Sequence, residues 1–398
     1  MNLKKVRSIL LIVLFGLVTS IVGFKVGERQ SEVKWRRIMG DSGEVDLSLM
    51  WEVWSRLDQS YLYGEEIDKE KMVLGAIFGS TAALDDPYTS FLAPEENDRS
   101  KEDLSGEFSG IGVQLGYVDK TLAVIAPLID HPAIRAGVKA GDLILGIKDE
   151  VAGVDVDTNG MSLAEAVNLI RGETGTEVTL IMYHEGDDIS KEVSLIRDVI
   201  EIPSVEVEFV GEGEKVAWMR VYKFGEKTLP EWNKAVDKVL ARGVDGIVVD
   251  FRNNPGGYLQ RAIDLASEFV PSGVIVQQRG KLGVNEFSVN RRGKLIGVPV
   301  VGLINRGSAS ASEIMAGALR ERLAINLVGE NSFGKGTVQE AQELPGGGGL
   351  HVTIAEWLLP SGKSIHGDGL VPDIEVKDDP STEEDEQLLR AIEALKHE

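Results

Sequence analysis

The chain has 398 residues, 43% apolar and 27% charged, which is enough for two or three globular domains. Its net charge of −22 excludes nucleic acid as an expected partner, because binding to phosphates requires a basic face. It has no cysteine, and its five histidines lack metal-ligand spacing, so we expect no disulfide, no thiol nucleophile, no metal site and no cofactor.

The N-terminal segment 1–27 is predicted to be a signal anchor. Lys4, Lys5 and Arg7 precede an apolar run over Ile9–Phe24, which is typical of an export signal and close to the shortest membrane span. No clear cleavage site follows, so we favour an uncleaved anchor, with a cleaved signal peptide as the alternative. The rest of the chain is then expected outside the cytoplasmic membrane, in the periplasm or at the cell surface, or secreted if the signal is cleaved.

Residues 28–104 are predicted to be largely helical. Apolar residues from Leu47 to Leu57 recur at helical spacing, and residues 69–84 form a second amphipathic pattern. Pro87 and Pro94 then interrupt the helical pattern.

Residues 105–197 have a different texture, with short strands and glycine turns. The stretch 110–128 predicts a β-hairpin with Asp119 and Lys120 near the turn. Ser162 and Glu165 form a capping box at the start of a predicted helix.

From residue 198 onward, strands and helices alternate, which predicts βαβ units and a mostly parallel sheet. The buried strands and the helices that carry this pattern are predicted at 245–252, 257–270, 298–305 and 312–321. An acidic amphipathic helix is predicted at 381–396, and its charges are interpreted as a solvated face.

Two strand-to-helix turns can carry chemistry. After Asn305 comes a serine cluster, Ser308, Ser310 and Ser312, where a serine is exposed at the sheet edge and helix N–H groups can stabilise an oxyanion. Capping of the following helix is an equally open interpretation. The Asn-Pro-Gly-Gly turn that ends at Gly257 leaves backbone N–H groups unshielded and suits a second oxyanion donor, although a tight turn explains it too.

The stretch that begins at Gly329 resembles a phosphate-binding loop but lacks what that loop needs. Gly336 stands where a magnesium-binding Ser or Thr is required, and a β-prone segment follows instead of a helix. If Lys335 begins a strand, it shares one face with Thr337 and Gln339. A buried lysine beside a serine can be its general base, with Gln339 orienting the amine, whereas the alternative is an exposed turn lysine.

Four motifs in this order make the chain resemble the carboxyl-terminal processing peptidases, the tail-specific proteases, over roughly residues 45–376. They lie at 86–92, 250–260, 307–319 and 333–339. The resemblance implies a mixed multidomain fold of α/β and β parts. Its components would be a crotonase- or Clp-protease-like βαβ serine protease domain, an inserted PDZ domain and an N-terminal helical region.

The same resemblance implies the residues of a serine protease site. Ser310 would be the nucleophile, Lys335 the base, and Gln339 would complete the catalytic site. The backbone N–H groups of Ala311 and Gly257 would form the oxyanion hole. All five positions match the family pattern, so an active serine endopeptidase is expected.

The middle segment is similar to the PDZ domain of that family, which would bind free C-termini of proteins or peptides by adding them as a strand to a sheet edge. Its peptide-binding residues would be Gly110, Ile111, Gly112 and Val113, with backbone donors for the terminal carboxylate. Arg171 is a plausible charged contact, and a structural surface arginine is the open alternative.

These expectations divide the chain into a signal segment 1–27, a helical region 28–104, a PDZ domain 105–197, a protease domain 198–380 and a terminal helix 381–398. The expected function is an exported, membrane-tethered endopeptidase that binds protein C-termini and cleaves near them. A non-catalytic PDZ scaffold at the membrane is the alternative, and a homo-oligomer stays open. A trypsin-like PDZ protease is excluded, because its histidine would precede the serine near residue 42 and no histidine occurs before His131.

Overall fold

The computed structural model describes residues 46–128, 130–184, 186–377, 382 and 384–397. The predicted signal segment therefore lies outside the described residues. Along the part that is described, no helix is both long and apolar enough to cross a membrane. The described residues divide into two compact units, with the boundary between Val73 and Leu74.

In the first unit, helix α1 (Ser48–Ser60) forms where the apolar spacing predicts one, and a single 3-10 turn follows at Gly64–Glu66. None of the residues of α1 is buried, and Trp51 keeps 49% of its surface exposed. Helix α2 (Lys69–Ala82) begins where the second amphipathic pattern begins. The periodicity thus locates these helices without identifying a core that they cover.

The second unit begins within α2, and a short strand and a helix then lead into a small antiparallel sheet. These elements are β1 (Ser90–Leu92), α3 (Pro94–Ser105), β2 (Glu107–Gly110), β3 (Val113–Val118), β4 (Thr121–Pro127), α4 (Pro132–Arg135), β5 (Leu143–Asp149), β6 (Val154–Asp157), α5 (Leu163–Ile170), β7 (Glu177–Tyr183), β8 (Lys191–Ile196) and β9 (Asp198–Glu201). The sheet has the order β3-β4-β5-β7-β8, with β6 paired to β5, while β2 and β9 form a separate two-stranded ribbon.

The predicted hairpin and capping box are both present in this part of the chain. Asp119 and Lys120, at φ 47° and 70°, join β3 to β4, as a turn with two left-handed residues requires. At the start of α5 the Glu165 N–H donates to Ser162 Oγ at 3.3 Å and the Ser162 N–H donates to Glu165 Oε2 at 2.9 Å. A separate apolar core, which includes Ile144 and Leu180, lies beneath this sheet.

The remaining elements alternate between strands and helices, as predicted. They are β10 (Val205–Val210), β11 (Val216–Val221), α6 (Thr228–Arg242), β12 (Gly246–Asp250), α7 (Leu259–Ala266), β13 (Val274–Gly280), β14 (Gly283–Ser288), β15 (Val300–Ile304), α8 (Ala311–Leu323), β16 (Leu327–Gly329), β17 (Thr337–Glu343), β18 (Gly349–Leu358), β19 (Ile374–Glu375) and α9 (Glu386–Ala394). Single 3-10 turns lie at Glu212–Glu214 and Leu395–His397.

The larger sheet has the order β10-β11-β12-β15-β16-β19, and every neighbouring pair except β10–β11 is parallel. The mostly parallel sheet is therefore confirmed. Alternate residues of β12 face opposite sides, with Ile247 and Val249 in the core that α6, α7 and α8 share and Val248 against α9. The sheet is thus covered on both faces, which explains its near-continuous apolar strands.

A second sheet is built around β18, which pairs with β17 along one edge and with β1 and then β13 along the other. Strand β17 begins at Thr337, so Lys335 lies in the turn before the strand and does not begin it. This sheet brings the segments 86–92 and 333–339, which are far apart in the sequence, to the same region.

Candidate active site

The two predicted catalytic turns meet at the carboxyl ends of the neighbouring parallel strands β12 and β15. The Asn253 N–H donates to Asn305 Oδ1 at 2.9 Å, and Asn305 Nδ2 donates to Asn253 Oδ1 at 3.0 Å. Asn253 has a φ of 57°, which is uncommon for a residue other than glycine. This edge of an open parallel sheet is where ligands generally bind.

The outer two serines of the cluster hold these turns together. Both side chains are fully buried, and each hydroxyl donates to a carbonyl of the opposite turn, Ser308 Oγ to Phe251 at 2.8 Å and Ser312 Oγ to Asn254 at 2.9 Å. Ser308 and Ser312 therefore neither cap helix α8 nor face solvent, and their hydroxyls join the two turns instead.

Ser310 differs from both neighbours. It is half-buried, immediately precedes α8, and has a φ of 55°, a strained conformation of the kind that clusters at functional sites. Gly256 approaches it so closely that a Cβ there would lie 2.8 Å from the Ala309 carbonyl oxygen and 2.9 Å from Ser310 Cβ. Only glycine fits at position 256, and the turn can then pack against the serine.

The two predicted oxyanion donors are free. In the described part of the chain, no hydrogen bond engages the backbone N–H of Gly257 or of Ala311, whereas the Gly256 N–H donates to Asn254 Oδ1 at 2.8 Å. Gly257 has a φ of 134°, and a Cβ on it would lie 2.3 Å from the Phe224 carbonyl oxygen. Each turn thus leaves one predicted N–H unpaired. The N–H of Ala311 directly follows Ser310, and the N–H of Gly257 lies at the exposed end of the glycine pair.

The buried carboxylate of Glu313 connects the serine turn to the lysine turn. Its Oε2 accepts hydrogen bonds from the Ser310 N–H at 2.8 Å and from the Lys335 N–H at 3.0 Å. Its Oε1 accepts from Ser332 Oγ at 2.5 Å and from the Gly334 N–H at 2.7 Å. Burial raises the pKa of Glu313, and these four hydrogen bonds oppose the shift.

The side chain of Lys335 is half-buried, and burial lowers the pKa of its amine. Its Nζ lies 5.2 Å from the centre of the Tyr88 ring. Among the described residues, no hydrogen bond joins this amine to Ser310 or to Gln339. The side chain of Gln339 instead donates from Nε2 to Thr337 Oγ1 at 2.8 Å. Catalytic hydrogen bonds are often long or absent before substrate binds, so this geometry leaves the predicted roles open.

Two residues of the site were missed by the sequence reasoning. Glu313 follows Ser310 by three residues, which is the S-x-x-E spacing of a capping box and was a usable signal. Tyr88 lies in a motif that carried the family resemblance, but no pattern in one sequence indicates that its ring reaches Lys335. That contact depends on the pairing of β1 with β18.

A separate groove lies between β3 and α5, in the small sheet. A pocket at its end is lined by residues that include Gly110, Ile111, Gly112 and Val113, and their role in peptide binding stays a prediction. Gly112 has a φ of 73°, and a Cβ on it would lie 2.3 Å from His131 Cβ. Strand β3 pairs only with β4 among the described strands, so its other edge is open.

Arg171 lines the same pocket and has two partners. Its guanidinium carbon lies 4.2 Å from the centre of the Phe108 ring, and its Nη1 lies 3.7 Å from Glu102 Oε2 in α3. The arginine therefore stands between the pocket and the preceding helix. Elsewhere in the described chain, no three His, Asp or Glu side chains converge so as to hold a metal ion.

Comparison with known proteins assigns the chain to a family. Peptidase family S41 matches residues 215–376. The carboxy-terminal processing protease CtpA of Bacillus subtilis is 35% identical over 316 residues, which is 79% of this chain and 66%, slightly less than two thirds, of that protein. The carboxyl-terminal-processing protease of Synechocystis sp. is 33% identical over 373 residues, covering 93% of this chain and 85% of the relative.

A solved structure agrees with this assignment. A photosystem II D1 C-terminal processing protease has 29% sequence identity and a TM-score of 0.51, with 89% of this chain and 94% of that chain covered. The chain therefore belongs to the carboxy-terminal processing proteases of peptidase family S41, a family of serine-type peptidases.

Proposed function

We propose that the chain is an exported serine endopeptidase that binds protein C-termini and cleaves near them with Ser310 and Lys335. The observation that carries the proposal is the Glu313 carboxylate, whose Oε2 accepts the backbone N–H of both Ser310 and Lys335. A single carboxylate oxygen, Glu313 Oε2, thus holds the backbones of the candidate nucleophile and the candidate base close together.

The chemistry proceeds through an acyl-enzyme. Ser310 Oγ attacks the scissile carbonyl carbon while its proton passes to the neutral amine of Lys335, and the developing oxyanion accepts hydrogen bonds from Ala311 and Gly257. The C–N bond then breaks, and the leaving amine takes the proton from Lys335. Water then attacks the acyl carbon as Lys335 takes its proton, and the bond from that carbon to Ser310 Oγ breaks as Lys335 returns the proton to Oγ, which releases the new C-terminus. Gln339 orients the Lys335 amine once that side chain has moved to within reach of Ser310.

Burial of Lys335 supports its role as a base. A free lysine has a pKa of about 10.4 and is almost fully charged at neutral pH. Burial disfavours the charged form and lowers this pKa, which increases the fraction of the amine that can accept a proton. The Tyr88 ring, with its centre 5.2 Å from Nζ, opposes part of this shift, because an aromatic face attracts the charged form of the amine.

The substrate C-terminus would bind in the groove between β3 and α5. An extended peptide can pair as an added strand with the open edge of β3, and its carboxylate can accept hydrogen bonds from the N–H groups at 110–113. We propose on this basis that residues 105–197 are a PDZ domain, inserted before a crotonase- or Clp-protease-like domain at 198–380. Arg171 adds a positive charge at the pocket.

Export rests on the sequence of residues 1–27, where a basic cluster precedes an apolar run. We propose that this segment anchors the chain with residues 28–398 outside the cytoplasmic membrane, since basic residues stay on the cytoplasmic side. Cell fractionation with external protease tests it, and full-length protein in the soluble cytoplasm would contradict it.

The competing function is a non-catalytic scaffold that uses the groove alone. A peptide with a free C-terminus, incubated with wild type and with Ser310→Ala, separates the two functions. The protease is expected to cleave the peptide, whereas Ser310→Ala binds it without cleavage. Binding without cleavage by the wild type as well would favour the scaffold.

A further inference from the structure

The first residue of the oxyanion turn after Phe251 is an arginine whose side chain lies between two carboxylates. Arg252 keeps only 14% of its side chain exposed. Its Nε donates to both oxygens of Asp250, at 3.0 and 3.1 Å, and Nη2 donates to Asp250 Oδ2 at 2.7 Å. Asp250 is the last residue of β12, so this pairing is local to the turn.

A second set of partners comes from the far end of the chain. Arg252 Nη1 donates to Asp385 Oδ1 at 2.8 Å, and Nη2 donates to Asp385 Oδ2 at 2.7 Å. Nη1 also donates to Gln387 Oε1 at 3.1 Å. We call Asp385 and Gln387, with the Arg252 side chain that they hold, the C-terminal clamp. A bidentate arginine–carboxylate pair of this kind fixes both position and orientation.

The clamp is attached to a rigid element. Asp385 also caps helix α9, because its Oδ1 accepts the Leu388 N–H at 2.9 Å. Leu388, Ala391 and Ala394 pack against the face of the large sheet opposite to α6, α7 and α8. The helix therefore holds Asp385 at a fixed height above the carboxyl end of β12.

From Arg252 the contacts continue to the nucleophile turn. The next residue, Asn253, has a φ of 57° and exchanges two hydrogen bonds with Asn305. Asn305 in turn accepts the Gly307 N–H at 2.9 Å, and its own N–H donates to Ser308 Oγ at 3.0 Å. The path from Asp385 thus reaches both turns that meet at Ser310.

We propose that the C-terminal clamp positions the turn 252–257, so that Asp385 of helix α9 is a positioning residue for the oxyanion hole. The proposal rests on the proposed function of Ser310 and Gly257. A polar cavity of about 590 Å³ lies beside the clamp and is lined by Arg252, Asn253, Asn305 and Asp385. If Asp385 releases Arg252, its side chain has room to move, and Asn253 loses the neighbour that restrains its left-handed conformation.

The test compares two single variants that separate the clamp from the helix cap. Asp385→Asn keeps an oxygen that can cap α9 but removes the charge and one acceptor for Arg252. Asp385→Glu keeps the charge and both acceptors but makes a poorer cap. The clamp predicts that Asp385→Asn is the more damaged enzyme, and a role only in helix stability predicts the reverse order.

The measurements are kcat and KM on a free-acid peptide and the rate at which a fluorophosphonate labels Ser310, each taken well below the melting temperature of the variant. We expect Asp385→Asn to lower kcat and the labelling rate about ten- to a hundredfold, since small displacements of catalytic groups cost this much. KM should stay near the wild-type value, because the groove at 110–113 is untouched. The matched control is Glu393→Gln, an exposed carboxylate on the same helix, which should behave as wild type.

If Asp385→Asn does not fold, Gln387→Met decides, because it leaves the Asp385 cap and removes one Arg252 acceptor. It also removes the Nε2 bond to the Val376 carbonyl, so its control is Gln387→Glu, which loses that bond but keeps an acceptor for Arg252. The clamp requires Gln387→Met to lower kcat more than Gln387→Glu does. If Asp385→Glu lowers kcat and the labelling rate as much as Asp385→Asn or more, the inference is overturned while the proposed function stands. A wild-type protein that neither cleaves nor labels refutes the proposed function, and the inference with it.

Discussion

Lys335 has two requirements that conflict at the scale of one residue. Its amine must lose a proton near neutral pH to act as a base, and burial lowers the pKa of that amine. The same burial makes the charged form costly, and among the described residues no carboxylate offsets that cost at Lys335. In the proposed mechanism, the burial that makes Lys335 a base therefore lowers the stability of the protein.

We expect Lys335→Arg to be as inactive as Lys335→Ala, because a guanidinium stays protonated and cannot accept the Ser310 proton. Wild-type activity should rise with pH through the lowered lysine pKa, since only the neutral amine is competent. Peptide cleavage by all three proteins between about pH 5 and 10 measures both effects, with circular dichroism as the folding control. An active Lys335→Arg, or wild-type activity that falls over this range, would remove the lysine from the base role.

Glu313 makes a separate prediction. Glu313→Gln keeps the shape, but its NH₂ group must face two of the four donors that the carboxylate accepts. Each buried donor left unpaired lowers the free energy of unfolding by about 1–3 kcal/mol, and the turns of Ser310 and Lys335 separate. Urea unfolding and kcat together measure the loss, with the exposed Glu340→Gln as control. A variant with unchanged stability and kcat would show that the carboxylate does not connect the turns.

Among single residues, the sequence located Ser310 correctly at a strand-to-helix turn, but it could not separate it from Ser308 and Ser312 without the family resemblance. What distinguishes the three serines is burial, because the outer two hydroxyls are buried and donate to the carbonyls of Phe251 and Asn254. The position of the Lys335 amine beside Tyr88 was also beyond reach, since it depends on pairing between strands that are distant in the sequence.

At the scale of elements, the proposed binding of a C-terminus depends on the open edge of β3 and on the loop before it. Gly112 is required there for two reasons, its φ of 73° and the 2.3 Å that would separate an added Cβ from His131 Cβ. Gly137 shares a left-handed φ, 85°, but has open space around the position of a Cβ. Alanine at either position strains the backbone, but only alanine at position 112 also collides with a neighbour. A comparison of Gly112→Ala with Gly137→Ala therefore separates the effect of loop shape from the effect of backbone strain.

We expect the wild type to cleave a free-acid peptide faster than its C-terminal amide, because the amide lacks the charge that the N–H groups at 110–113 accept. Gly112→Ala should abolish this preference, and Gly137→Ala should keep it. Initial rates on the paired peptides provide the measurement. Equal rates on acid and amide with wild type would contradict recognition of the carboxylate.

Local signals predicted the elements that local chemistry controls. The hairpin at Asp119 and Lys120 and the helix capped by Ser162 follow from the backbone preferences and side-chain bonds of neighbouring residues. Helix α9 was also predicted, but its charges were interpreted as a solvated face. Asp385 departs from that interpretation, because its partner Arg252 is 133 residues away in the sequence and adjacent only in the fold.

At the scale of the whole molecule, the candidate site is assembled from segments that the sequence separates widely. The turns after β12 and β15 meet because the strands are parallel neighbours, and the Lys335 turn reaches them through Glu313 of α8. Alternation of strands and helices predicted the parallel sheet, but not its order or the cover of its second face by α9. Those depend on which apolar faces pack together across the chain.

The most direct test of the account is mass-spectrometric mapping of the fluorophosphonate adduct on folded wild-type protein, combined with casein cleavage by wild type, Ser310→Ala, Ser308→Ala and Ser312→Ala. We predict one adduct, on Ser310, and complete loss of cleavage in Ser310→Ala. The two outer variants should keep the nucleophile and lose activity only in part, because their hydroxyls hold the turns. An adduct on another serine, or cleavage that persists in purified Ser310→Ala, would contradict the central claim that Ser310 is the nucleophile.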